Sequence, residues 1–273
     1  MSDLARTTQR LAVLLAAGVA PASAWRHAGV ISDDPVADLR AGPPTERGLA
    51  AAWTVATAAG APLAPALSRF AECLRDLEES EREARVALAG PVATTRIVML
   101  LPVVGLGFGA LLGFDTLRVL FTTVPGLACL VVGVILLLIA RRWNHRLVAA
   151  ARPPDALPGL ELELLAIAVT GGGSLEAARL AVSTALDDGD LPVADVGEEV
   201  LELSRAAGVP ARALLVAEAE EARRDAGADA RQAAAELAVR LMLPLGLCVL
   251  PAFLLLAVAP MVIALVSSTV SGF

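Results

Sequence analysis

Lysine and tyrosine are absent from this chain, aromatic residues make up only 3%, and histidine occurs twice. All 22 basic side chains are therefore arginines, which reads as a compositional bias toward Ala, Gly and Arg and says little about function. A net charge of -7 without a concentrated basic footprint excludes nucleic acid as the expected partner. Cys73, Cys129 and Cys248 are too widely separated for a metal site or a disulfide framework, and read as buried apolar thiols. His27 and His145 are far apart, and no HExxH, CxxC, G-x-S-x-G or nucleotide loop occurs. Gly171-Gly172-Gly173 lacks the Gly-Lys-Ser/Thr ending and preceding strand of a phosphate loop, and Asp187-Asp188-Gly189-Asp190 lacks the remaining spacing of a calcium loop. The expectation is a protein with no catalytic residues, cofactor or metal.

What is plentiful is apolar length. Hydrophobic residues reach 56% and the mean hydropathy is +0.68. Ile97–Phe114 and Val119–Ala140 are uncharged runs separated only by Asp-Thr-Leu-Arg, and a third run extends from Leu241 to Val266 through Pro244, Pro251 and Pro260. Each is long enough to cross a hydrocarbon core of about 30 Å as a helix, so about three transmembrane helices are expected. Arg96 precedes the first run, Arg141, Arg142 and Arg146 follow the second, and Arg240 precedes the third. By the positive-inside rule these five mark cytoplasmic membrane boundaries. Residues 1–96 and 141–240 are then cytoplasmic, and the C-terminal tail lies outside. A competing reading takes Arg6, Arg10, the apolar Leu11–Ala20 and Ala22-Ser23-Ala24 as a signal peptide. Cleavage there would export the arginines after the second run, against the charge rule. The spans also lack the ionisable residues expected of many ion pathways, which counts against a transporter.

The chain also repeats itself. Thr57–Asp76, TAAGAPLAPALSRFAECLRD, almost recurs as AAGVPARALLVAEAEEARRD, Ala206–Asp225. Gly60 aligns with Gly208, Glu72 with Glu220 and Arg75 with Arg223, and each copy runs through a charged section toward an apolar one. A weaker match pairs Leu14–Trp25 with Ile167–Ala178. Self-similarity at a fixed spacing points to two copies of one helical unit. Leu160–Val169 reads as a helix broken by the three glycines. Ser174 reads as the N-cap of the next helix, with Glu176 in its first turn. Asp195–Ala207 reads as another helix, Gly208 stops it, and Pro210 stands just inside the following helix start. Asp33–Glu46 and Ala151–Pro158 read as a loop and a linker. The expected organisation is all-α: a helical domain over 1–96, a transmembrane hairpin over 97–140, a linker over 141–159, a helical bundle over 160–240, and a kinked or re-entrant span over 241–268.

LELLAIAVTGGGSLEAARLAV, LELSRAAGVPARALLVAEAEEAR and LMLPLGLCVLPAFLLL, in that order, resemble the F-domain inner-membrane proteins of type II secretion systems and type IV pili. The chain is most similar to the platform proteins of tight-adherence (Tad/Flp) pilus assembly. The resemblance covers Leu160–Val266 better than Leu11–Ile97. It implies a non-enzymatic platform in the bacterial inner membrane that couples a hexameric assembly ATPase to the extrusion of pilin subunits. A second homologous platform protein, or a further copy of this one, would complete it. Carried over by position, Gly208, Pro210, Glu218, Glu220, Glu221, Arg223 and Arg224 are ATPase-facing, with Glu72, Arg75 and Asp76 as their first-copy equivalents. The extra N-terminal copy and the single span after the second copy depart from that family's pattern. The alternative class is a transporter subunit or membrane sensor of unrelated helical type.

Overall fold

The computed structural model describes residues 2–111, 120–150, 157–193 and 197–263. All regular structure among them is helical. The helices are α1 (Ser2–Ala16), α2 (Pro21–His27), α3 (Pro35–Arg40), α4 (Pro44–Ala59), α5 (Leu63–Leu111), α6 (Val124–Ala150), α7 (Leu160–Thr170), α8 (Leu175–Asp188), α9 (Gly197–Ala207) and α10 (Ala211–Arg240). An apolar run follows, in which α11 (Met242–Pro244) and α12 (Leu250–Phe253) alternate with π-helical turns at Leu245–Val249 and Leu254–Val258. The chain forms two compact units, one of residues 1–82 with 153–229 and one of residues 83–152 with 230–273.

The first unit draws on both repeats. Its single core draws Leu11, Leu49, Val55, Leu67 and Phe70 from the first repeat and Leu164, Leu186, Leu201 and Leu215 from the second. The physical reason is α7, whose residues from Leu162 through Ala168 are all buried. A helix apolar on every side must be surrounded, and α4 packs against both α7 and α8. Burying one such leucine or phenylalanine is worth about 1.5–3 kcal/mol, and neither repeat alone can cover α7. Polar ties reinforce the joint. The Arg47 guanidinium donates to the carbonyls of Gly189 (2.9 Å) and Asp190 (3.0 Å), just past the end of α8. Arg40 lies 3.7 Å from the Asp188 carboxylate. Trp25 and Trp53 pack with ring centroids 4.9 Å apart, joining α2 to α4.

The repeat has a structural counterpart. Gly60 (φ 68°) and Gly208 (φ 67°) both adopt the left-handed conformation that ends a helix without a Cβ penalty. Behind each, a backbone N–H reaches back five residues: Ala61 to the Ala56 carbonyl (2.8 Å) and Val209 to the Ser204 carbonyl (3.3 Å). α5 and α10 start at equivalent positions, Leu63 and Ala211. In the weaker match the left-handed glycines are Gly18 and Gly172, one position removed from the sequence pairing of Gly18 with Gly171. Ser174 caps α8 as expected, its Oγ accepting from the Ala177 N–H at 3.2 Å. Asp33–Glu46 departs from a plain loop: it contains α3, because the Asp34 carboxylate accepts from the N–H groups of Val36 (3.2 Å) and Ala37 (3.1 Å) and Pro35 starts the helix. The stretch proposed for a signal peptide is folded into this core, with Leu11, Ala12 and Trp25 buried.

The second unit is apolar on its outside. Leu100, Val103, Phe108, Leu138, Leu247 and Leu254 are all exposed, a surface suited to hydrocarbon rather than water. Two helical stretches are long and apolar enough to cross a membrane, Val124–Ala149 and Ala211–Ile263, and Ile97–Phe108 is a shorter apolar helix. α6, the described part of the second expected span, starts at Val124, where the Thr123 hydroxyl accepts from the Gly126 N–H at 3.1 Å; Val119 lies outside the described residues. The first expected span runs partly outside the described residues, as do 151–156 of the linker and the tail from 264. α6 lies against the final run, where a Cβ on Gly133 would come within 2.5 Å of Leu256 Cγ. Each π-helical turn there precedes a proline, Pro251 or Pro260. A proline ring clashes with the carbonyl four residues back, and widening that turn relieves the clash while backbone bonds persist, as from Leu250 N–H to the Leu245 carbonyl.

Candidate functional site

The centre of charge in the first unit is Glu163, on the largely apolar α7. Its side chain is 2% exposed. Two arginines meet it. Arg69 of α5 donates through Nε to Oε1 (3.2 Å) and through a terminal nitrogen to Oε2 (3.4 Å), and Arg223 of α10 reaches Oε2 at 3.5 Å. An outer ring of carboxylates balances them: Glu220 lies 3.5 Å from Arg69, and Asp76 lies 3.7 Å from Arg223. A buried charge survives only when paired and hydrogen-bonded, and this arrangement supplies both conditions. Burial works against the charge of Arg69, but the attraction of Glu163, reinforced by Glu220 and Glu72, outweighs it and raises its pKa. Burial also pushes the neighbouring Cys73 thiol up to about 11, although Arg223 pulls the other way. Such a thiol is inert at neutral pH.

A cavity of about 30 Å³ opens beside this cluster, lined by Pro62, Arg69, Glu163, Thr170 and Arg212 among others. It has room for about one water molecule rather than a substrate. The cluster therefore holds helices together, with α7 tied to both α5 and α10.

This geometry sorts the residues singled out in the sequence. Arg223, at 10% side-chain exposure, points inward, and Asp76 and Glu220 are its and Arg69's counter-charges. These three are engaged with partners within the chain, Arg223 buried and Asp76 and Glu220 at its edge. Glu218, Glu221 and Arg224 are exposed, with Arg224 bonded to Glu221 at 3.4 Å. Gly208 and Pro210 are exposed on the turn, and Glu72 is exposed on α5. Arg75 is exposed and donates to Gln9 Oε1 at 2.6 Å. Among the boundary arginines, Arg141, Arg142 and Arg146 are exposed on α6 and Arg240 bonds Glu236 at 3.1 Å, whereas the Arg96 side chain lies outside the described residues.

Glu163, Arg69 and Gln9 were not found from sequence. The signal was available in the repeat: Gln9 precedes Gly18 by the same interval as Glu163 precedes Gly172, and Arg75 aligns with Arg223. The pairs Gln9–Arg75 and Glu163–Arg223 occupy corresponding places, one exposed and hydrogen-bonded to a neutral amide, the other buried and neutralised by a carboxylate.

Residues 2–110 match the family model described as type II secretion system (T2SS), protein F. The likeness thus falls on the first repeat and the start of the apolar region, not on the second repeat where the sequence resemblance had been judged stronger. Proteins of that family are scaffold or platform components and not catalysts. No curated protein and no solved structure matches the chain.

Proposed function

We propose that this protein is an inner-membrane platform of a type II secretion or tight-adherence pilus machine, coupling a cytoplasmic assembly ATPase to the extrusion of pilin subunits. The match of residues 2–110 to the protein F family carries this reading. Two further observations agree with it: helices long and apolar enough to cross a membrane, and a helical unit built around an internal ion cluster instead of a substrate cavity. The positive flanks put residues 1–96 and 141–240 on the cytoplasmic side. The ATPase-facing surface is the outward part of the charged set: Glu218, Glu221 and Arg224 on α10, with the Gly208–Pro210 turn at its start. Arg223 acts beneath that surface, holding α10 in place through Glu163 and the exposed Asp76.

The test is affinity purification of the full chain from native membranes in mild detergent, with co-purifying proteins identified by mass spectrometry. Recovery of a secretion-type ATPase and a prepilin, reduced when Glu218, Glu221 and Arg224 are charge-reversed, is the expected result. Unchanged recovery in that variant sinks the assignment of the surface. Reproducible absence of both partners, under conditions that preserve a control complex, sinks the platform reading.

A further inference from the structure

Along the first repeat, α1 and α5 enclose a groove of about 360 Å³ lined by Ala5, Arg6, Gln9, Arg10, Arg75 and Glu78. Three arginines thus line one groove in a chain whose net charge is -7. The carboxylates facing them are few. Asp3 lies 3.5 Å from Arg6 but is 94% exposed, and Glu78 forms part of the wall. Arg75 is held by the neutral amide of Gln9.

The corresponding place in the second repeat shows what such an arginine normally has. There Arg223 is 10% exposed and faces the buried carboxylate of Glu163. In the first repeat the carboxylate is replaced by an amide, which accepts a hydrogen bond and positions the guanidinium but supplies no charge. Arg75 is therefore oriented, exposed and short of its internal counter-ion. Guanidinium groups bind carboxylates through parallel, charge-assisted hydrogen bonds.

We propose that the α1–α5 groove binds an acidic segment of a partner protein, whose carboxylates take the role that Glu163 plays in the second repeat. A lipid headgroup fits less well for two reasons. The apolar side of α1 is already spent on the core, with Leu11, Ala12 and Ala5 buried, so α1 is not an amphipathic helix awaiting a bilayer. Arg75 also stands well before the apolar stretch that begins at Ile97. The inference does not depend on the identity of the secretion partner.

The test uses the full chain in nanodiscs of zwitterionic lipid, with a fluorescent octaglutamate peptide as probe and octaglutamine as its neutral control, read by anisotropy. Octaglutamate is expected to bind in preference to octaglutamine. Gln9→Glu rebuilds the internal pair of the second repeat and should weaken octaglutamate binding about tenfold, the worth of one charge-assisted hydrogen bond, without lowering the thermal midpoint. Arg10→Ala and Arg75→Ala should weaken it as well, while Arg205→Ala, an exposed arginine outside the groove lining, leaves it unchanged. Equal binding of the two peptides, or octaglutamate binding indifferent to Gln9→Glu and Arg75→Ala, overturns the proposal. So does arginine-dependent binding to phosphatidylglycerol vesicles without octaglutamate binding, which would assign the groove to lipid. These readouts are independent of ATPase recovery, so the two proposals can fail separately.

Discussion

Replacing Glu163 by alanine removes a buried carboxylate that ties α5 and α10 to α7. As a counter-charge Arg223 then keeps Asp76, which is 60% exposed and 3.7 Å away, while Arg69 keeps Glu220 at 3.5 Å. Breaking a buried pair from one side typically costs about 3–5 kcal/mol because the other charge is stranded. Arg69 is 27% exposed and can recruit water, so the lower end, about 3 kcal/mol, is expected after allowing for screening. For a unit of this size that lowers the thermal midpoint by about 6–12 °C. The assay is circular-dichroism melting of the full chain in detergent, with Arg75→Met as the corresponding change in the first repeat. That variant loses only an exposed bond to Gln9 and should melt close to the parent. The double replacement Glu163→Leu/Arg223→Met should recover most of the loss, since it leaves no stranded charge at Arg223. Equal melting of Glu163→Ala and Arg75→Met would refute the claim that the second-repeat pair is the buried, structural one.

Further outcomes follow from the same geometry. The folded Cys73 thiol keeps its proton up to about 11, against 9.0 ordinarily. Between these values the unfolded state binds fewer protons, so this contribution is intact below pH 9.0 and is lost as pH rises through about 11, at about 1.4 kcal/mol per pH unit. Urea titrations across that range should show the decline in the parent and a flatter profile in Cys73→Ala. Gly60→Ala and Gly208→Ala should each cost about 1 kcal/mol. A Cβ meets nothing within 4 Å at either position, so the penalty is confined to the backbone, and differing losses in chemical denaturation would contradict their equivalence. Asn144 is buried on α6, and neither amide atom has a hydrogen-bond partner among the described residues. Asn144→Leu should therefore stabilise the apolar unit by about 1–3 kcal/mol, measured as a raised melting midpoint in detergent; a lowered midpoint would mean that the amide has a partner.

The helices themselves were legible because their punctuation is local. Gly60 and Gly208 end helices by backbone conformation, Pro62 and Pro210 stand at the next starts, and Ser174 caps α8 with its own side chain. The repeat was legible for the same reason, since both turns use the same chemistry. What could not be read was which surfaces meet. α7 showed itself as apolar, but nothing in its own residues said that it would be enclosed by both repeats at once, joining what had read as two bundles. Charge along α10 was misleading in the same way: Arg223 and Arg224 are neighbours in sequence, yet a helical turn of about 100° per residue sends one to Glu163 and the other to solvent. Asp34 was overlooked as a cap because proline and aspartate signal loops as readily as short helices. The Gln9–Glu163 correspondence lay in plain sight and required the repeat to be followed into its weaker half.

The proposed contact is between the outward face of α10 and an assembly ATPase. The most direct measurement places a photo-crosslinking amino acid at Glu221 of the full chain in native membranes, with the same group at the buried Leu215 as control. Adducts with a secretion-type ATPase from position 221 and none from position 215 are predicted. Absence of the ATPase adduct at Glu221, in membranes where the ATPase is present and the chain crosslinks to other proteins, would contradict the account.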